Sequence, residues 1–243
     1  MSGHSKWSTI KRQKGVKDQK RGQLFTKMAK AISIAAKEGN SGDQETNFKL
    51  RLIIDRARAV NMPKDSIQKA IDRGLGKAGG GELIAAIYEG FGPEKVGIIA
   101  EVVTDNKNRT AAEIKHLFEK GGGILAQPGA VTFMFKSMGE IVVCKSKDPE
   151  AQMLQIMDLD VEDVEEVADG LEVHVKQAKL NQLKQALEKL GFILESSELV
   201  WLPVAQVAVT EKQANKVLNL LELLDDHDDV QRVFSNIDIL INE

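Results

Sequence analysis

The glycine-rich stretch GLGKAGGG, Gly74 to Gly81, divides this chain into two parts that have different periodicities. Five of its eight residues are glycine, a composition typical of a flexible connection. Before it, apolar residues recur with the 3.6-residue period of an amphipathic helix; after it, runs with a two-residue period alternate with helical runs. The chain is therefore predicted to have a helical part followed by a part that mixes strands and helices.

The part before the boundary is predicted to contain three helices. The first, residues 24–38, gathers Leu24, Phe25, Met28, Ala31, Ile32 and Ala35 on one face. The second covers residues 46–61, and the third begins at Pro63, a residue suited to the first position of a helix, and ends at Gly74. Residues 1–22 have no sustained apolar period. We therefore expect a basic arm over residues 1–22 and a helical domain over residues 23–80.

The part after the boundary is predicted to be built from two ferredoxin-like α/β sandwich domains. Residues 137–202 have the order strand, helix, strand, strand, helix, strand, which defines that fold. Strands at 83–89, 96–104 and 130–135 and a helix at 109–120 precede this block; strands at 204–210 and 230–237 and a helix at 211–224 follow it. The fold class is thus α+β, with a third domain (137–202) inserted into a second domain (81–136 plus 203–243).

The net charge of −3 conceals an uneven distribution of charged residues. Residues 1–80 hold 18 Lys and Arg against 7 Asp and Glu, whereas residues 81–243 hold 15 against 29. The two segments therefore carry net charges of +11 and −14. A concentrated basic segment attracts a polyanion over a long range and gains affinity by releasing counterions. This predicts nucleic-acid binding by the N-terminal part. The acidic body either orients the protein by repulsion from phosphate or contacts a basic protein partner.

The candidate nucleic-acid-binding residues are the cations of the arm and of the helical flanks, together with an aromatic residue set among them. They are Lys6, Trp7, Lys11, Arg12, Lys14, Lys17, Lys20, Arg21, Lys27, Lys30, Arg51 and Arg58. Trp7 has two possible roles: its ring either stacks on an unpaired base or anchors the arm by becoming buried against the helical domain.

Motifs that resemble catalytic or nucleotide-binding sites are incomplete. Gly76-Lys77 is followed by Ala78, where a phosphate-binding loop needs Ser or Thr for magnesium. Gly90-Phe91-Gly92 has Lys95 in place of the third glycine of a dinucleotide fingerprint. In the turn Asp105 to Asn108, Lys107 occupies a ligand position of a calcium loop, so the turn is interpreted as a helix cap. These departures predict a protein that is not an enzyme and has no cofactor.

Metal and disulfide chemistry are not expected either. The acidic run Asp225 to Asp229, which includes His227, is the best metal candidate, but adjacent acids in a loop between helix and strand are typically solvated. Cys144 is the only cysteine, so no intrachain disulfide is possible. The sequence predicts no metal site.

Five segments resemble the YebC family, which includes the mitochondrial translational activator of cytochrome c oxidase. They are GHSKW (3–7), DQKRGQLFTK (18–27), NMPKDSIQKAIDRG (61–74), YEGFGP (88–93) and TDNKNRTAAEIKH (104–116). The resemblance implies a three-domain α+β protein with a basic N-terminal domain and no known catalytic activity. It further implies either a probable DNA-binding transcriptional regulator or a ribosome-associated factor that assists the translation of proline-rich stretches.

We therefore expect a regulator of gene expression that binds nucleic acid, with DNA-bound transcriptional control as the first hypothesis. The alternative is a ribosome-associated translation factor that binds ribosomal RNA, and a second alternative is a sensor of a small effector. The N-terminus has no apolar segment typical of a signal peptide, and no apolar run approaches the roughly 20 residues that span a bilayer. A cytoplasmic protein without a membrane partner is expected.

Overall fold

A computed structural model describes residues 18–79, 81–167 and 170–240 of the chain. For residues 18–21 it describes the backbone only. The described residues form two compact units. The larger unit comprises residues 18–134 and 205–240, and the smaller unit comprises residues 135–204. Within the described ranges, no helix is both long and apolar enough to cross a bilayer.

The N-terminal part of the larger unit contains the three predicted helices: α1 (Asp18–Glu38), α2 (Phe48–Ala59) and α3 (Lys64–Gly74). Residues 18–22, expected in the arm, belong to α1. The three helices share a core of side chains at helical spacing, in which Ile32, Leu50 and Ile54 are fully buried. A Cβ at Gly74 would lie 2.2 Å from the carbonyl oxygen of Ser33, so the close approach of α3 to α1 requires glycine there.

The α/β part of the larger unit follows the glycine-rich connection. Its first elements are β1 (Ile84–Phe91), β2 (Gly97–Thr104), α4 (Lys107–Lys120) and β3 (Ile124–Leu125). Its last elements, beyond the smaller unit, are β8 (Val207–Val209), α7 (Glu211–Asp225), β9 (Val230–Ser235) and β10 (Ile237–Ile239). The main sheet is antiparallel with the order β3-β1-β2-β9, while β8 and β10 form a separate parallel pair. This is the expected α+β architecture with a different assignment of strands.

The predicted strand over residues 130–135 is wrong, and the reason is a buried side chain. The carboxylate of Glu89 accepts hydrogen bonds from the backbone N–H groups of Gly129 (2.7 Å), Val131 (2.6 Å) and Thr132 (2.7 Å). Because a side chain satisfies these donors, the segment does not pair with a strand. The sheet is completed instead by β1, which pairs with β2, and by β3 at the edge beyond it.

The smaller unit has the predicted order of elements. They are β4 (Phe135–Cys144), α5 (Pro149–Met157), β5 (Asp163–Val167), β6 (Gly170–Lys176), α6 (Leu180–Lys189) and β7 (Leu194–Pro203). The sheet is antiparallel with the order β5-β6-β4-β7, the arrangement of a ferredoxin-like domain. Ile141, Val143, Leu171 and Val173 are buried, as are Leu180 and Leu187 of α6. The ferredoxin-like prediction is therefore confirmed for this unit.

Candidate nucleic-acid interface

The predicted binding residues fall into three groups according to the described part of the chain. Six of them lie outside it: Lys6, Trp7, Lys11, Arg12, Lys14 and Lys17. Lys20 and Arg21 lie in the first turn of α1. The side chains of the remaining four, Lys27, Lys30, Arg51 and Arg58, are described, and they have different surroundings.

Lys27 and Lys30 of α1 contact the acidic run 225–229, which begins at the last residue of α7. The ammonium group of Lys27 donates a hydrogen bond to the carbonyl oxygen of Asp225. Lys30 donates to the carboxylate of Asp229 at 2.5 Å and to the carbonyl oxygen of Asp228 at 3.1 Å. The Lys30 side chain is only 16% exposed. These two lysines hold the helical part of the larger unit against its α/β part.

Asp229 is the centre of this contact. Its second carboxylate oxygen accepts hydrogen bonds from the hydroxyl of Thr110 at 2.6 Å and from the guanidinium of Arg109 at 3.0 Å. Burial alone would raise the pKa of Asp229, but the hydrogen bonds from Lys30, Thr110 and Arg109 outweigh it and hold that pKa far below its ordinary value. The carboxylate is therefore charged at any physiological pH.

The interpretation of residues 225–229 as a solvated loop is wrong for Asp229, whose side chain is 5% exposed. Glu113, His227 and Asp229 place ligand atoms within 4.8 Å of one another. His227 is within 3.0 Å of the Glu113 carboxylate and accepts the backbone N–H of Asp229. Since both oxygens of Asp229 already contact a cationic side chain, a metal ion here would face the positive charges of Lys30 and Arg109. The cluster acts as a structural junction.

Arg51 and Arg58 differ in how accessible their guanidinium groups are to a phosphate. Arg51 donates to the carbonyl oxygens of Gln44 (2.8 Å) and Glu45 (3.1 Å), so it closes the loop that precedes α2. Arg58 is 56% exposed at the end of α2 and lies 3.6 Å from Asp55, an exposed pair that contributes little to stability. Of the four described candidates, Arg58 is the most accessible to a phosphate.

The structure adds three exposed lysines that the sequence reasoning missed. Lys64 and Lys69 of α3 and Lys77 beyond it are exposed, and none of their ammonium groups forms a hydrogen bond or ion pair with the described part of the chain. The signal was present in the sequence, since Ile67, Ala70 and Ile71 define the buried face of α3 and leave Lys64 and Lys69 outside it. Arg58 and Lys64 flank the same short turn between α2 and α3.

The smaller unit contains a second group of side chains that could hold a cation. Glu140 of β4 and Glu172 and His174 of β6 are all buried and place ligand atoms within 4.8 Å of one another. The imidazole Nε2 of His174 is 3.3 Å from the Glu140 carboxylate. Adjacent strands in register bring these residues together, because Glu140 lies directly opposite His174 and Glu172 lies two residues away on the same face. No motif in the sequence indicated this group.

Comparison with known proteins identifies the family. Residues 5–77 match the TACO1/YebC protein N-terminal domain, and residues 83–237 match the TACO1/YebC second and third domain. A protein of Chloroflexus aurantiacus named "Probable transcriptional regulatory protein" is 47% identical over 98% of this chain and 96% of its own length. A protein of Syntrophomonas wolfei with the same name is 43% identical over 98% of this chain and 97% of its own length.

A solved structure supports the same assignment. The crystal structure of a conserved hypothetical protein from Aquifex aeolicus matches with a TM-score of 0.85 at 35% identity, covering 93% of each chain. The family matches account for the helical part and for both α/β domains, and the curated relatives carry the name of regulators. This chain belongs to the YebC family, whose curated members are named probable transcriptional regulatory proteins.

Proposed function

We propose that this protein is a non-enzymatic, cytoplasmic regulator of gene expression that binds DNA through its basic arm and the exposed cations of its helical part. The arm supplies Lys6, Lys11, Arg12, Lys14 and Lys17. Trp7 either stacks on a base or anchors the arm. The helical part adds Arg58, with Lys64 and Lys69 on α3. Lys20 and Arg21, in the first turn of α1, connect the two sets along the chain.

The observation that carries this proposal is the separation of charge along the chain. The N-terminal 80 residues carry +11 in a protein whose remaining residues carry −14. Two of the cations are bound within the fold, Lys27 at the carbonyl oxygen of Asp225 and Lys30 at the carboxylate of Asp229, and are thus less available to phosphate. The others remain a concentrated source of counterion release on a nucleic acid.

Positioning by phosphate contacts does not by itself distinguish DNA from RNA. The names of the curated relatives favour transcriptional control. Binding to ribosomal RNA in support of translation is the alternative, and the acidic body would then contact a basic protein partner. Comparison of a DNA duplex with a ribosomal RNA helix of equal length distinguishes the two possibilities.

The first experiment changes Lys11, Arg12, Lys14 and Lys17 to Gln and measures affinity over a series of salt concentrations. If the wild-type protein neutralises about six phosphates, the logarithm of its affinity falls against the logarithm of salt with a slope near −5. The four-residue variant should bind more weakly and show a slope shallower by about 3 to 4, close to one for each lost phosphate contact.

A matched control removes the same number of positive charges from the acidic body. Lys120, Lys189, Lys212 and Lys216 are exposed, and their replacement by Gln should leave the slope unchanged. A slope near zero for the wild-type protein, or equal losses in the two variants, would contradict the proposal.

A further inference from the structure

The strand β1 of the larger unit has an edge that the rest of its sheet leaves mostly uncovered. In the order β3-β1-β2-β9, β1 pairs with β2 along its whole length, from Ile84 to Phe91. On the other side, the two-residue strand β3 pairs only with Gly90 and Phe91. Residues 84–88, which we call the β1 edge segment, therefore form a free strand edge within the described part of the chain.

Two hydrogen bonds show which backbone groups point out of this edge. The N–H of Val103, which lies opposite Ala85 in the register, donates to the carbonyl oxygen of Asp229 at 2.9 Å, on the side of β9. The carbonyl oxygen of Glu89 accepts a hydrogen bond of 2.8 Å from the residue that follows β3. Because backbone groups of alternate residues point to the same side of a strand, Ala85 and Ile87 direct their N–H and C=O groups outward. Neither residue has a hydrogen bond on that side to another described residue.

The side chains of the β1 edge segment are apolar, and several are exposed. Ile84 is 41% exposed and Ile87 43%, and Ala85 is exposed as well. Edge strands are typically protected by charged side chains, by proline or by a bulge. The segment, IAAIY, contains no charge and no proline, and its register with β2 has no bulge. The edge strand β5 of the smaller unit, by contrast, has three acids among its five residues, DVEEV.

The β1 edge segment is complementary to itself. A two-fold axis at Ala86 places Ala85 of one copy opposite Ile87 of a second copy, so each outward N–H meets an outward C=O in an antiparallel pair. The two Ala86 residues then form a pair without hydrogen bonds, whose small side chains allow the usual separation of about 4.5 Å between Cα atoms. Ile84 lies opposite Tyr88, and such a pair of β-branched and aromatic side chains stabilises a sheet.

We propose that the β1 edge segment is a docking surface for a second copy of this chain, which joins the two main sheets into one continuous sheet. The pairing identifies the occupant, because all outward groups of the segment are satisfied about this axis. An edge without charged side chains also brings no like charges together there. The contact beyond Tyr88 is already made by β3 and the residue after it, so the added strand is limited to the length of the segment itself.

Disulfide trapping of the full-length protein tests the pairing and the position of its axis. Ala86→Cys, combined with Cys144→Ser, places two thiols opposite each other at a Cα separation that a disulfide can bridge, about 4.4 to 6.8 Å. We expect a covalent dimer on mild oxidation. The matched control is Ala85→Cys in the same background, whose thiols lie opposite Ile87 and should not join. No dimer with Ala86→Cys, or a dimer formed equally by both variants, would overturn the proposal.

Hydrogen exchange of backbone amides distinguishes a second copy from other occupants of the edge. The N–H groups of Ala85 and Ile87 should be protected at high protein concentration and exchange freely on dilution, because only the dimer gives them an acceptor. The N–H of Ala86 points towards β2 and should be protected at both concentrations, so it serves as an internal control.

Two results of the exchange measurement would contradict a second copy. Protection of Ala85 and Ile87 that persists in protein shown to be monomeric would assign the edge to another segment of the same chain. Free exchange of both amides at high concentration would show that nothing pairs with the edge.

Sedimentation velocity measures how strongly the edge contributes to association. Ile87→Lys introduces a charge of the kind that protects natural edge strands and should raise the dissociation constant of the dimer at least about tenfold. The matched control is Ile193→Lys, the same change at a residue of the smaller unit that is 72% exposed, and it should leave association unchanged. A wild-type protein that stays monomeric at all concentrations, or equal effects of the two variants, would overturn the proposal.

Discussion

Buried acidic groups occur in both compact units, and the two units neutralise them differently. In the larger unit, the carboxylate of Asp229 contacts Lys30, Arg109 and Thr110, so two cations and a hydroxyl surround one negative charge. In the smaller unit, Glu140 and Glu172 share one imidazole, His174. The first site gathers cations around one carboxylate, whereas the second gathers two carboxylates around one imidazole.

This difference shows how a chain with separated charges uses its basic N-terminal part. Part of its positive charge is incorporated in the fold, because Lys27 and Lys30 join α1 to the loop after α7. Other cations of the helical part, among them Lys64, Lys69 and Lys77, are exposed and remain accessible to a phosphate. Net charge alone cannot distinguish a structural lysine from a binding lysine; the contacts can.

The largest expected effect on stability is at the Asp229 site. Asp229→Asn keeps the shape of the side chain but leaves Lys30 without its anionic partner and removes the buried one of the carboxylates that Arg109 contacts. We expect the free energy of unfolding to fall by about 2 to 4 kcal/mol, since one partner of a buried charge pair is removed. Chemical denaturation of the full-length protein measures the change.

The matched control is Asp105→Asn. The Asp105 carboxylate lies 3.1 Å from the same Arg109, but its side chain is 48% exposed. Little change in stability is expected there, because water screens an exposed pair. A similar loss of unfolding free energy in the two variants would show that the burial of Asp229 does not determine how much it contributes to stability.

The pH dependence of stability should have opposite signs at the two sites. The raised pKa of His174 means that the folded state binds its proton more tightly. This stabilisation is complete below the ordinary histidine pKa of about 6.5 and is lost as the pH rises through the raised value. The lowered pKa of Asp229 gives stabilisation that is complete above about pH 4 and is lost on acidification.

Both pH dependences can be tested by measuring the free energy of unfolding of the wild-type protein, His174→Gln and Asp229→Asn. The measurements run from about pH 3 to about pH 9, a range that includes both ordinary pKa values. The difference between wild type and His174→Gln should shrink towards high pH. The difference between wild type and Asp229→Asn should shrink towards low pH. A His174 effect that grows with pH would indicate that the imidazole is neutral in the folded protein.

The smallest expected effect on stability belongs to the exposed lysines of α3. Lys64→Gln with Lys69→Gln should leave the unfolding free energy unchanged and make the salt slope of DNA binding shallower by about 2, one for each phosphate contact. Lys30→Gln should do the opposite, lowering stability while leaving the slope unchanged. A shallower slope for Lys30→Gln would show that this lysine leaves Asp229 when nucleic acid binds.

Part of the fold was predictable because it depends on local patterns. The buried Ile32 and Ala35 of α1, the Pro63 and Gly74 boundaries of α3 and the βαββαβ order of the smaller unit follow from periodicity and from residues with strong backbone preferences. The strand expected at 130–135 failed because the competing partner, Glu89, is about 40 residues away. Periodicity contains no information about such a long-range hydrogen bond.

The candidate site was likewise predictable only in part. The sequence by itself determined the separation of charge, the family and the concentration of cations before residue 80, because these depend on composition and on local motifs. Only the tertiary structure decided that Lys30 belongs to Asp229, about 200 residues away, and that Glu140, Glu172 and His174 share one sheet face. Contacts of this kind are set by strand register and by the packing of α1 on the α/β part. Both arise only when the whole core forms.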